Sequence, residues 1–193
     1  GYVKNFKLSD HSTGVGFIPL FVLAAIVGWP NFLQLRNLMN ILRQISYTGI
    51  IGLGMTLIII SGGIDLSVGS MAAFAGGISI LFLNLFPGDS HFAVLATALF
   101  ALVFGAVCGM VNGLIVTKGR IAPFIVTLGT MSIFRSLIQY ISGAGNILSK
   151  STVYTEVGAG VVLGVPVPVW VFIVVAVVLH VALNNTRFGR YVC

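Results

Sequence analysis

A single carboxylate, Asp65, stands in the stretch SGGIDLSVGS (residues 61–70), among three glycines and three serines and between two strongly apolar runs. Only four of the 193 residues are acidic, so this one needs a physical reason. Two chemistries suit it. After the glycine break, Asp65 or Ser67 can cap the free amides of a following helix, with the carboxylate at the positive end of the helix dipole. The same groups, lining a water-filled cavity, can hold a polar solute by hydrogen bonds. A second polar set runs through PFIVTLGTMSIFRSLIQY: Thr127, Thr130, Ser132, Arg135, Ser136 and Gln139. Ser132 and Ser136 are one helical turn apart, as are Met131, Arg135 and Gln139, so two adjacent rows of one helix carry polar groups. Polar residues in a membrane helix face the bundle or water.

Catalysis finds little to work with. Asp65 has no acidic neighbour to share general acid–base work. His11, His91 and His180 lie far apart without an H-E-x-x-H motif, and Cys108 and Cys193 have no C-x-x-C spacing. No G-x-x-x-x-G-K-[ST] phosphate loop occurs. The expectation is a non-catalytic chain with no metal or cofactor of its own, in which any use of ATP belongs to another chain.

The elements that must position these groups follow from composition. Hydrophobic residues make up 58% and charged residues 7%, against about 25% charged in soluble domains. So few charges cannot keep a globular surface wet, so the partner of the surface is lipid. Apolar runs near the ~20 residues that a ~30 Å hydrocarbon layer requires occur at about 14–29, 45–61, 66–86, 91–116, 122–142 and 165–183. The fold class expected is an all-α, polytopic transmembrane bundle of about six spans, forming one domain over 1–193. The stretch PLFVLAAIVGWPNF runs into Trp29 and Pro30 without a small-residue cleavage pattern, so the first run reads as a span and not a removed leader. In NFLQLRNLMNILRQ, Phe32, Leu35, Leu38, Met39 and Leu42 fall at helical spacing with Arg36 and Arg43 opposite, which predicts a helix lying in the membrane interface. Val161 to Val181 is valine-rich enough to read as strands in a soluble protein. Its continuous length predicts helix here, because an unpaired strand edge cannot sit in lipid.

The net charge is +6, yet the ten Lys and Arg residues are scattered at span ends and form no patch for nucleic acid. With the N-terminus inside, Lys4, Lys7, Lys118, Arg120, Arg187 and Arg190 are cytoplasmic, and Arg36, Arg43 and Lys150 lie outside with Asp89 and Glu156. The positive-inside bias therefore favours that orientation. Arg135 lies within a span, about 12 residues or roughly 18 Å past Pro123, where it can snorkel toward the outer interface or pair with an anion. Small residues recur every four positions at Ala101, Gly105, Gly109 and Gly113, and again at Ala72 with Gly76 and Ala73 with Gly77. Such faces let helix backbones approach closely and predict tight packing.

Four separated motifs, GMTLIIISGGIDLSVGSMAAFAGG, NGLIVTKGRIAPFIVTLGTMSIFRS, GVPVPVW and TRFGRY, occur in this order. Together they resemble the successive signatures of the permease subunits of bacterial ABC monosaccharide importers of the ribose type, from about Asn31 to Tyr191. The resemblance implies a multi-pass subunit of the bacterial inner membrane that forms a homodimeric or heterodimeric pore with a second permease subunit. It implies cytoplasmic ATP-binding cassette subunits, a periplasmic sugar-binding protein, and alternating access in which nothing is chemically transformed. On this reading the pathway residues are sought among Asp65, Ser67, Thr127, Thr130, Arg135 and Gln139. Members of that family continue past TRFGRY with a coupling loop and further spans, so 1–193 is expected to match the N-terminal portion of a permease, truncated at its C-terminus. The alternatives are an ion-coupled secondary carrier or a passive channel for a small polar solute, a membrane-embedded enzyme, and, more distantly, a branched-chain amino acid permease. A carrier would use ionisable groups near the membrane centre, for which only Asp65 and Arg135 offer themselves.

Overall fold

The computed structural model describes residues 12–187 and residue 189; the expectations placed on Lys4, Lys7, His11, Arg190 and Cys193 fall outside them. The elements are α1 (Ser12–Val27), α2 (Leu35–Ile60), α3 (Val68–Leu83), α4 (His91–Gly119), α5 (Pro123–Ile141), α6 (Thr152–Ala159), the strands β1 (Val161–Val162) and β2 (Val165–Pro166), and α7 (Val167–Asn185). Among the described residues α2, α4, α5 and α7 are long and apolar enough to cross a membrane, and Gly16–Val27 and Val68–Leu83 are shorter apolar helices. The architecture is thus an all-α polytopic bundle. Large apolar side chains such as Ile45, Leu102, Ile125 and Val174 stay exposed along the long helices, as they do where lipid is the solvent.

Two expectations are corrected. The stretch NFLQLRNLMNILRQ is not a separate interfacial helix: from Leu35 onward it is the first part of a continuous helix of 26 residues. No glycine or proline stands between Leu35 and Ser46, and a nucleated helix extends by one hydrogen bond per residue until something breaks it. The valine-rich run, in turn, does not become helix from its start. Val161 pairs with Pro166 and Val162 with Val165 in an antiparallel hairpin. Its two turn residues, Leu163 at φ +52 and Gly164 at φ +77, both adopt the left-handed conformation of a type I′ turn. The two short strands pair with each other within six residues, and α7 begins only at Val167, with Pro168 in its first turn.

The chain forms two compact units, residues 1–44 and 45–193. In the first, the Phe21 ring lies 5.8 Å from Phe17 and 5.4 Å from Phe32, and the Asn37 amide donates to the Phe32 carbonyl at 2.8 Å. In the second, α3 is the hub, packed against α4 and α5. The buried centre is Phe74, Cys108 and Phe134, surrounded by Met71, Ile78, Phe104 and Ile138. A ladder of rings staples the three helices: Phe82 to Phe100 at 4.4 Å, Phe100 to Phe104 at 5.7 Å, Phe104 to Phe74 at 5.4 Å and Phe74 to Phe134 at 5.6 Å. Aromatic pairs at these separations contribute about 0.5–1.5 kcal/mol each beyond simple burial.

Gly77 and Gly49 each lie close against a side chain from another part of the bundle. A Cβ at Gly77 would collide with the end of Ile138 in α5 and come within 3.1 Å of Ile147, and one at Gly49 would sit 2.6 Å from the ring of Phe172 in α7. At Gly105, Gly109 and Gly113 an added Cβ meets no atom within 4 Å. Among the described residues, the three glycines of the α4 stripe therefore border open space.

Candidate functional site

The SGG sequence ends α2 by a specific device. Gly62, at φ +80, donates its N–H to the Ile59 carbonyl at 3.0 Å, and Gly63 donates to Ile58 at 2.9 Å. This is the paired closure of a Schellman motif, which needs a left-handed residue and finds it in glycine. The chain then turns into α3 around Asp65. Its Oδ1 accepts from the Ser67 N–H and from the Ser67 hydroxyl, both at 2.7 Å. That local ring is an Asx turn, and it divides the capping expectation: Asp65 takes the N–H of Ser67, the N-cap of α3, while the Ser67 side chain makes no cap hydrogen bond. The hydroxyl proton is already committed to Asp65, and the oxygen receives another donor, the Asn112 side-chain amide of α4, at 2.9 Å. Ser67 has no exposed surface and Asn112 is 5% exposed.

The first turn of α5 completes the arrangement. Ala122, at φ −54 and ψ 132, has the extended backbone that a following proline enforces, and Pro123 starts the helix. Thr127, 3% exposed, donates to the Pro123 carbonyl at 2.9 Å, with the Ile64 carbonyl a further 3.4 Å contact. Between these groups lies a cleft of about 370 Å³ whose lining includes Gly63, Asp65, Gly109, Asn112, Gly113 and Thr127. It sits at the end of the bundle where α2 and α4 finish and α5 begins, beside the 119–123 turn.

The predicted site residues divide. Asp65 and Thr127 line the cleft, and Ser67 lies directly behind Asp65. Thr130 is buried one turn further along α5, its hydroxyl 3.4 Å from the Thr127 carbonyl. Arg135 and Gln139 stand on the exposed face of α5, and Arg135 makes no hydrogen bond or ion pair among the described residues. Gly109 and Gly113 of the α4 stripe line this cleft, whereas Ala101 lines a second one of about 370 Å³ in the other half of the bundle, with Tyr47, Thr97 and Tyr154. Sequence reasoning passed over Asn112. Its signal was a lone amide in the otherwise apolar interior of α4, a group that is costly in lipid unless it has a partner.

A second polar cluster, also unforeseen, closes the opposite end. Asp89, in the α3–α4 connection, accepts from the hydroxyls of Ser151 and Thr152 and from the Thr152 N–H at 2.7 Å, so its carboxylate sits on the first amides of α6. The Ser151 hydroxyl, then that of Thr152, hold the Asp89 carboxyl down to about 2 from its ordinary 3.8. Asn84 adds two more links, donating to the Leu148 carbonyl and accepting from the Lys150 N–H, both at 2.9 Å. The 143–164 segment is thereby clasped to the end of α3, and the two polar clusters mark opposite ends of the bundle.

Comparison with known proteins places the chain in a family. Residues 37–193 match the model of the family described as branched-chain amino acid transport system / permease component. The chain is 36% identical to the ribose import permease of Haemophilus influenzae over 182 residues, covering 91% of this chain and 55% of the relative. It is 39% identical over 181 residues to that of Escherichia coli K12, with the same coverage. It is 41% identical over 180 residues to that of Bacillus subtilis, covering 90% and 54%. The chain thus spans about half the length of these curated relatives. No solved structure matches it. With four-fifths of its length matched and its long apolar helices in place, the chain belongs to the family of branched-chain amino acid transport system permease components.

Proposed function

We propose that this chain supplies part of the transmembrane pathway of an ATP-driven importer for a monosaccharide such as ribose, in the bacterial inner membrane. The observation that carries the reading is the match, along nine-tenths of this chain, to permeases named for ribose import. The chemistry of the cleft favours the same cargo class. An amino acid would need counter-charges for both an ammonium and a carboxylate, whereas Asp65 is the one ionisable side chain among the lining residues, and Ser67 already occupies its Oδ1. Neutral hydroxyl and amide groups suit a neutral polyol, which must be held weakly enough to leave. Burying an unpaired ion at such a place costs more than burying a neutral dipole with a partner.

In this reading the permease itself transforms nothing. A second permease subunit completes the pore, ATP-binding cassette subunits on the cytoplasmic side drive the switch between outward and inward access, and a periplasmic binding protein delivers the sugar. Asp65, Ser67, Asn112 and Thr127 are assigned to the inner end of the path, with Thr130 behind them. Arg135 and Gln139 join the path where the open face of α5 meets the second subunit.

The test is reconstitution of the full-length permease with its ATPase and binding protein in proteoliposomes, followed by uptake of labelled D-ribose, D-allose, L-arabinose, D-galactose and L-leucine. Aldose uptake that needs both ATP and the binding protein is expected. Leucine uptake without aldose uptake, or solute entry driven by an ion gradient without ATP, would overturn the reading.

A further inference from the structure

The hydrogen bonds around Asp65 have a direction. A carboxylate can only accept, so the Ser67 hydroxyl, 2.7 Å away, gives its single proton to Asp65. The Ser67 oxygen can then only accept, so Asn112 must turn its NH2 group toward it, as the 2.9 Å contact shows. The amide carbonyl is what remains. Asn112 Oδ1 is buried and has no hydrogen-bond partner among the described residues, on a side chain that lines the cleft. A residue serving only to tie α4 to the 61–67 connection would leave no such orphan, because an unpaired buried acceptor forfeits what its water once supplied. Beside it, Gly109 and Gly113 line the same cleft, and among the described residues no atom lies within 4 Å of where a Cβ would stand on either, so the surface of α4 next to Asn112 is open.

We propose that Asn112 is a cargo-reading residue: its carbonyl, aimed by the Asp65–Ser67 pair, takes its missing hydrogen bond from a hydroxyl of the passing sugar. This rests on the importer reading and adds to it a named atom and a polarity. The site accepts a hydrogen bond and offers none at that atom, which selects a hydroxyl donor. Asp65 is then a positioning residue that fixes which end of the amide faces the cargo. The carbonyl is covered in the present arrangement, so the contact forms as the 61–64 stretch moves away from α4 while Asp65 and Ser67 keep hold of the amide. Gly62, whose backbone is already left-handed at φ +80, and Gly63 next to it give that connection its freedom.

The experiment uses the complete importer in proteoliposomes, with D-ribose and its 2-deoxy, 3-deoxy and 5-deoxy analogues delivered by one binding protein. Each sugar's preference for the binding protein cancels when its rate relative to ribose is compared between permease variants. In the wild type, one analogue is expected to be carried about threefold to tenfold more slowly than ribose for loss of the contacting hydroxyl. In Asn112→Leu that ratio should fall below about twofold, the energy of the missing contact having nowhere to be lost. Asp65→Ala should shift the same ratio in the same direction, and Asp65→Asn, whose side-chain oxygen still accepts from Ser67, should restore it. If Asn112→Leu fails to assemble, Asp65→Ala carries the comparison. Wild-type ratios for every analogue in an assembled variant would overturn this assignment alone. Absence of any aldose uptake by the wild type would overturn the importer reading and this one with it.

Discussion

Replacing Gly49 by alanine puts the packing account at risk. The new Cβ would lie 2.6, 3.0 and 3.1 Å from three atoms of the Phe172 ring, whereas carbon atoms pack best at about 3.5–4.0 Å. The ring must therefore retreat by roughly 1 Å, and a rigid ring cannot yield by turning one terminal methyl. Overpacking of this kind costs about 1–3 kcal/mol, and alanine returns at most about 1 kcal/mol through its better helix propensity. A net loss of about 1–2 kcal/mol corresponds to a midpoint lowered by roughly 2–8 °C in a chain of this size. Gly109→Ala is the matched control, since nothing lies within 4 Å of its Cβ, and it should leave the midpoint unchanged or slightly raised. Heating the purified permease in nanodiscs and following the loss of monodisperse protein by size exclusion measures both. Adding Phe172→Leu to Gly49→Ala should recover part of the loss. A Gly49→Ala variant as stable as Gly109→Ala would refute the claim that α2 and α7 meet through that glycine.

The orientation of the bundle is open to cysteine labelling: a membrane-impermeant reagent added outside should modify a cysteine at Ser149 and spare one at Gly119, and the reverse pattern would invert the assignment. The Asp89 clasp predicts a pH window. Because its folded carboxyl titrates near 2, below the ordinary 3.8, the clasp is fully formed above about pH 4 and weakens as pH falls from there toward 2. Hydrogen exchange at the Thr152 and Val153 amides, corrected for the intrinsic pH dependence, should stay slow from pH 7 to 5 and accelerate only in that acid window; Asp89→Ala should show the fast exchange at pH 7. At the hairpin, Leu163 is 86% exposed and held at φ +52, so Leu163→Asn, which creates the preferred type I′ pair with Gly164, should stabilise the turn by up to about 1 kcal/mol. Slower exchange at the hairpin's amides is the readout, and faster exchange would count against the turn assignment.

Some features needed nothing beyond the order of residues. A run of about twenty apolar residues in lipid can satisfy its backbone only by closing its own hydrogen bonds, so the runs at 91–116 and 122–142 correspond to α4 and α5. The helix had to end at Gly62 and Gly63, because its closure needs a left-handed residue, which Gly62 supplies and side chains with a Cβ resist. Elsewhere a second local rule competed. The arginine-flanked Leu35 stretch looked interfacial by its amphipathic spacing, yet nothing in it stops a helix. Val161 looked helical by the length of its run, yet the Leu163–Gly164 turn brought the two short strands together as a hairpin.

Tertiary structure decided which side chains meet. Asn112 reaches Ser67 across 45 positions, Thr127 approaches Ile64 across 63 and Ser151 reaches Asp89 across 62. None of these pairs shares a helix face or a turn, so no periodicity could announce them. The small-residue rows make the same point from the other side. Gly77 and Gly109 belong to similar four-residue patterns, but α5 lies against the first and open space against the second. Spacing along a helix says which residues share a face, because the helix repeat is local. What stands opposite that face depends on the angle at which neighbouring helices pack, and that angle comes from the sum of many contacts, here the phenylalanine ladder joining α3, α4 and α5.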